Sequence, residues 1–209
     1  MAVVAGLLFL AFVYFAVGQA AVLRNGAQSA ADSAALAAAQ DARAQIRDRW
    51  LDVLSDPTQW QPLLRGEGYT VERACERAIT LASRNDAVLA REDCVPLEFG
   101  FTVTVQTDGT VGKSIVPGTD ERRATATASA VIEPLCSFEP PEPSIEPSTE
   151  PPSDPDPTSA PSEEPEEEEA PEPIVVLLCD GEPWEIDLEA STLPGVDDLF
   201  RVRLTGDDE

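Results

Sequence analysis

MAVVAGLLFLAFVYFAVGQAAVL, residues 1 to 23, runs without a break into RNGAQSAADSAALAAA, residues 24 to 39. The first stretch carries no charge before Arg24. At about 1.5 Å of rise per residue it spans roughly 35 Å as a helix, enough to cross a hydrocarbon core of about 30 Å. The second stretch is dense in alanine and free of proline, so the same helix can leave the membrane and run on. The expectation is one long helix: a transmembrane anchor over 1–23 and its continuation out of the membrane over 24–55.

A cleavable signal peptide competes with the anchor, because Gly18-Gln19-Ala20 offers small residues at a cleavage site. Against it, the apolar run exceeds the roughly 7 to 15 residues of a signal core, and no basic residue precedes it. Orientation pulls two ways. Arg24, Arg43, Arg47 and Arg49 all follow the span, which alone would hold the C-terminal part in the cytoplasm. The cysteines and an acidic, proline-rich segment argue for the exterior. A basic leader supplied by a longer reading frame would reconcile the two.

Beyond the anchor, Leu36, Ala39, Ile46, Trp50 and Val53 recur at three- and four-residue steps, with Arg43 as the one polar interruption. That is a narrow apolar seam for one partner helix or sheet. Ala27, Ala31, Ala35 and Ala39 stand four apart. They read either as an alanine-rich solvated helix or as a face where like subunits pack closely. Asp56-Pro57 ends the helix, since proline disfavours helical geometry in the residue before it.

The remainder reads as an α+β unit. Residues 56–69 hold two prolines, Gly66 and Gly68, a loop anchored by Trp60 and Leu63-Leu64. Val71, Ala74, Cys75, Ala78, Ile79 and Ala82 make one stripe of an amphipathic second helix over 71–83. Leu97, Phe99, Phe101, Val103 and Val105 alternate with polar residues or glycine as a half-buried strand, and Asp108-Gly109 turns it. Val111–Val116 reads as a short strand, Pro117-Gly118 as a turn, and Arg122–Ile132 as a further strand. Together these give a small antiparallel sheet packed on two helices.

Residues 139–173 hold 12 prolines and 13 acids without one aromatic, so they cannot bury enough to offset chain entropy and read as a disordered insertion and solvated spacer. The segment 174–209 resumes with strand patterns at Ile174–Cys179, Trp184–Leu188 and Leu199–Leu204. Thirty-six residues are too few to fold alone, so these strands are expected to complete the sheet begun at Leu97. The exterior domain is then 56–138 plus 174–209, interrupted by 139–173.

Cys75, Cys94, Cys136 and Cys179 are an even set, read as two disulfides against the alternatives of metal ligands or free thiols. There is no histidine and no Cys-x-x-Cys pair, so the metal alternative lacks its usual spacing. Of three possible pairings, Cys75–Cys94 with Cys136–Cys179 is expected. Cys75 faces the core side of its helix, where the turn at Asn85-Asp86 returns Cys94, and the second bridge would clamp the base of the insertion.

The formal charge of −25, with Lys113 as the one lysine, argues against nucleic acid, which needs a basic face. No histidine-based triad, phosphate loop or Gly-x-Ser-x-Gly elbow is present. Carboxylate pairs such as Asp197-Asp198 carry little information in so acidic a chain. No catalytic residue, cofactor, metal or small-molecule substrate is expected.

The junction Arg24-Asn25-Gly26-Ala27-Gln28-Ser29-Ala30-Ala31-Asp32-Ser33-Ala34-Ala35-Leu36-Ala37, directly behind an uncharged anchor, resembles the N-terminal region of TadE/TadG-like proteins of tight-adherence (Flp-type) pilus systems. Arg24, Asn25, Gln28, Ala31, Asp32, Ala35 and Leu36 carry the likeness. A weaker one, to actinobacterial TadG-related proteins, extends through Ala74-Cys75, Asn85-Asp86 and Cys94. The resemblance implies a single-pass protein of the cell membrane with its C-terminal domain outside, a pilin-like or assembly component that contacts other pilus or secretion-system subunits. No glutamate lies within residues 1–23 and no Asp-x-Ser-x-Ser metal motif is present, so neither prepilin processing nor a von Willebrand A-type domain is implied. A surface adhesin reaching through the wall on its acidic spacer is the alternative; a secreted enzyme freed after Ala20 is a third.

Overall fold

The computed structural model describes residues 2–110, 121–138, 175–186 and 193–206. Helix α1 runs unbroken from Ala2 to Asp52. Nothing in that stretch stops it: proline is absent, and Gly6, Gly18 and Gly26 stand in open space. The chain turns before Asp56, whose carboxylate accepts the Thr58 N–H and caps a 3-10 turn at Pro57–Gln59. Helix α2 (Trp60–Leu64) and helix α3 (Val71–Arg84) follow. The expected loop over 56–69 is thus partly helical. Pro62 falls in the first turn of α2, where a missing N–H costs no hydrogen bond. Trp60, Leu63 and Leu64 are buried.

Among the described residues five strands form the main antiparallel sheet: β1 (Ala87–Val88) and β2 (Cys94–Leu97), both beside β3 (Gly100–Thr107), then β4 (Thr125–Pro134) and β8 (Phe200–Thr205). The inner face presents Phe101, Val103 and Val105 beside Ala128, Ala130 and Ile132, all buried. The outer face carries hydroxyls, with Thr102 bonded to Ser129 at 2.7 Å and Thr104 to Thr127 at 2.9 Å. Helix α1 packs on β3, β4, β8 and α3 at once.

Three further sequence expectations are corrected. The alternating run Leu97–Val105 is not one strand, because the chain reverses at Glu98–Phe99 and pairs Leu97 with Gly100. Phe101, Val103 and Val105 are buried, while Leu97 and Phe99 are left exposed. The C-terminal strands do not all join the main sheet. β8 pairs with β4, whereas β6 (Val175–Cys179) and β7 (Glu182–Ile186) join β5 (Cys136–Ser137) in a separate three-stranded sheet. Asp180 (φ 50°) and Gly181 (φ 86°) close β6 onto β7, the two positive-φ residues of a tight hairpin.

The third correction concerns α1. Ala27, Ala31, Ala35 and Ala39 are fully buried, as are Ala30, Ala34, Ala38 and Ala42. The stripe is neither solvated nor free for another subunit, because the chain's own sheet and α3 cover it. The expected strand at Val111–Val116, the turn at Pro117-Gly118, the insertion 139–173 and the end of the strand expected at Trp184–Leu188 lie outside the described residues.

Candidate functional site

The surface that demands an explanation is the N-terminal part of α1. From Val3 to Val22 every described side chain is exposed, among them Leu7, Leu8, Phe9, Leu10, Phe12 and Phe15. The helix is long and apolar enough to cross a membrane. Scattered exposed apolar residues are ordinary, but a continuous apolar cylinder is not. At about 25 cal/mol per Å², leaving it in water is strongly unfavourable relative to an apolar environment.

The change from exposed to buried occurs at the junction. Arg24 and Asn25 are exposed, and Gln28 Nε2 donates to Asp32 Oδ1 at 2.8 Å. In the same sector of the helix, Ala31 and Ala35 are fully buried where α1 enters the domain. Leu36 is half-buried and lines a groove with Arg77 and Leu81 of α3. Ser33 accepts a hydrogen bond at 3.0 Å from Asn85 Nδ2, so the C-terminal end of α3 is tied to this part of α1. Nearer the N-terminus, the bend after β3 places Thr110 at the groove formed by Tyr14, Phe15, Gln19 and Val22.

Further along, several polar groups of α1 are directed at the domain, while Gln40, Asp48, Arg49 and Asp52 stay exposed. Arg43, the interruption in the expected seam, donates to the Phe200 carbonyl at 3.2 Å and pairs with Asp197 at 2.7 Å. Gln45 Oε1 accepts the Thr70 N–H at 3.0 Å and its Nε2 donates to Asp41 at 2.7 Å, fixing the start of α3. Trp50 stacks edge-on against Trp60 at 5.3 Å, and Trp60 Nε1 donates to the Val53 carbonyl at 3.0 Å. Sequence reading missed Gln45 and Asp197. The first looked like a solvated helix residue, and the second was lost among many acids.

Cys75 is bonded to Cys94, joining α3 to β2, and Cys136 to Cys179, joining β5 to β6. The Cα atoms stand 5.9 Å and 4.0 Å apart. Among the described residues no group of three or more Cys, Asp or Glu side chains is gathered for a metal ion. The distinguishing feature of the chain is an apolar helix that passes straight into a buried, alanine-lined core.

Residues 1–41 match the family described as putative Flp pilus-assembly TadE/G-like. The TadE/G-like segment thus covers the exposed cylinder and the junction at Gln28–Leu36, and ends within the buried stretch of α1, which runs on to Trp50. No curated protein and no solved structure matches the chain.

Proposed function

We propose that this chain is a membrane-anchored, pilin-like or assembly component of a Flp-type pilus system that acts by protein–protein contact and catalyses nothing. One observation carries the reading: the apolar stretch of the TadE/G-like segment is uncovered along its length, and the same helix becomes the core of the folded domain without a joint. A rigid connection of this kind couples lateral packing of helices in the membrane to the position of the domain. Residues 1–23 are the anchor, crossing once, and 24–55 its extension. Residues 56–138 and 174–209 form an exterior domain interrupted by 139–173. Two disulfides support an oxidising, exterior location. Within the family the finer assignment is the actinobacterial TadG-related type.

Deleting the gene in a host that assembles Flp-type pili tests the role. Surface fibres are expected to disappear and to return with the intact chain, but not with a chain whose residues 1–23 are replaced by a cleavable signal peptide. Unchanged piliation in the deletion strain would overturn the role. The anchor is tested separately by washing membranes with alkaline carbonate. The protein is expected to stay in the pellet, and release of the full chain would reject a span.

A further inference from the structure

The end of the domain remote from the apolar helix holds a cleft of about 1000 Å³. Strand β3 separates the two, starting beside Phe99 at the cleft and ending near Leu23, roughly 25 Å away at about 3.4 Å per residue. The floor of the cleft is core: Leu64, Ile132, Cys136 and Phe138 are buried beneath it. Its two walls are large apolar side chains left open to solvent, Phe99 at 43% exposure from the β2–β3 turn and Leu178 at 49% from β6. Two sheets therefore leave an apolar slot between them, a position where exposed apolar surface marks a binding groove.

The rim has a sign. Glu67, Glu98 and Asp180 line it, exposed and without an ion-pair partner among the described residues. Glu133 is taken by Arg203, and Arg65 is the one basic residue among the lining residues. We propose that this cleft docks a basic segment of a partner protein, with a large apolar side chain on the Leu64–Phe138 floor and arginine or lysine side chains over Glu67, Glu98 and Asp180. Charge decides among occupants. The chain's own 139–173 segment has 13 acids and no base, and a second copy brings a formal charge of −25; both share the sign of the rim. A groove with an apolar base and an acidic border selects the opposite partner. The inference goes beyond the pilus role and does not depend on membrane insertion.

The test is a titration of the full-length protein in detergent with a fluorescent nine-residue peptide alternating arginine with leucine or phenylalanine, beside its glutamate counterpart. The arginine peptide is expected to saturate and the glutamate peptide to show no binding. Leu178→Ser, and separately Glu67→Gln with Glu98→Gln, are each expected to weaken binding about tenfold. Glu72→Gln with Glu92→Gln removes as much charge away from the cleft and is expected to leave affinity unchanged. All substitutions are at exposed positions, and the thermal midpoint of each variant checks folding. Equal weakening by the Glu72 and Glu92 pair, binding of both peptides alike, or no binding overturns the proposal. Tighter peptide binding after deletion of residues 140–172 would make that segment the occupant, and self-association lost in Leu178→Ser would make it a second copy; either result overturns it.

Discussion

Gly100 begins β3 with φ at +157°, and a Cβ there would overlap the Ala130 carbonyl oxygen across the β3–β4 pair. Backbone rather than a mobile side chain stands in the way, so the strain cannot be relieved by a rotamer change. Gly100→Ala is expected to lower stability by about 1–3 kcal/mol, read as a shift in the urea midpoint of the full chain in detergent. Gly18→Ala, in open space on the apolar helix, should leave that midpoint where it is. Tyr69 gives a second residue-scale expectation. It packs on Phe101 with ring centroids 5.6 Å apart, and burial raises its pKa above the ordinary value of 10.0. The folded state holds the neutral phenol while the unfolded chain ionises. The contribution is therefore intact below about pH 10 and is lost as pH rises through the folded value. Thermal midpoints between pH 8 and 11 should fall less steeply for Tyr69→Phe than for the parent; identical slopes would remove the assignment.

At the scale of elements, α1 changes character along its length without changing geometry. Its first part is apolar on every side and uncovered; its second is alanine because β3, β4, β8 and α3 crowd around it. Longer side chains would force those elements apart. Ala34→Leu or Ala38→Leu is expected to cost about 1–3 kcal/mol or more through overpacking, measured by the same urea midpoint, whereas Ala21→Leu on the exposed part should be neutral. The length of this helix was legible from the missing proline and the alanine content. Its burial was not, because alanine is equally at home on a solvated helix and at a tight interface. The strands show the same limit. Period-2 alternation correctly marked Phe101, Val103 and Val105 as inward, but it carried on through Leu97 and Phe99, where two apolar residues keep the beat across a reversal. The hairpin at Asp180-Gly181 had a readable signal, an Asp-Gly pair between two apolar runs, and it explains why β6 and β7 pair with each other.

For the whole molecule, two bridges hold together a fold whose parts lie far apart in sequence. Cys75–Cys94 is local to α3 and β2, while Cys136–Cys179 spans 43 positions and encloses the 139–173 segment. The second pairing was legible from cysteine arithmetic and the composition change at Glu139. The role of β8 was legible only in part: its alternation was visible, but its place beside β4, with Arg43 reaching Asp197 and the Phe200 carbonyl, depends on contacts 157 residues apart. In the chain-entropy account, removing Cys75–Cys94 should cost about 3 kcal/mol and removing Cys136–Cys179 about 4 kcal/mol, because the longer loop leaves the unfolded chain more freedom. Deleting residues 140–172 shortens the second closure to a separation of about 10, and loop-closure entropy then predicts recovery of about 1.3 kcal/mol in the Cys136→Ala, Cys179→Ala background. Urea midpoints of the four chains, with and without each change, measure this directly. If deletion returns nothing, the segment does not act as a passive tether. If it returns the expected fraction, the bridge stabilises the domain by confining a long spacer to one point, leaving β5 and β6 paired whatever the spacer does.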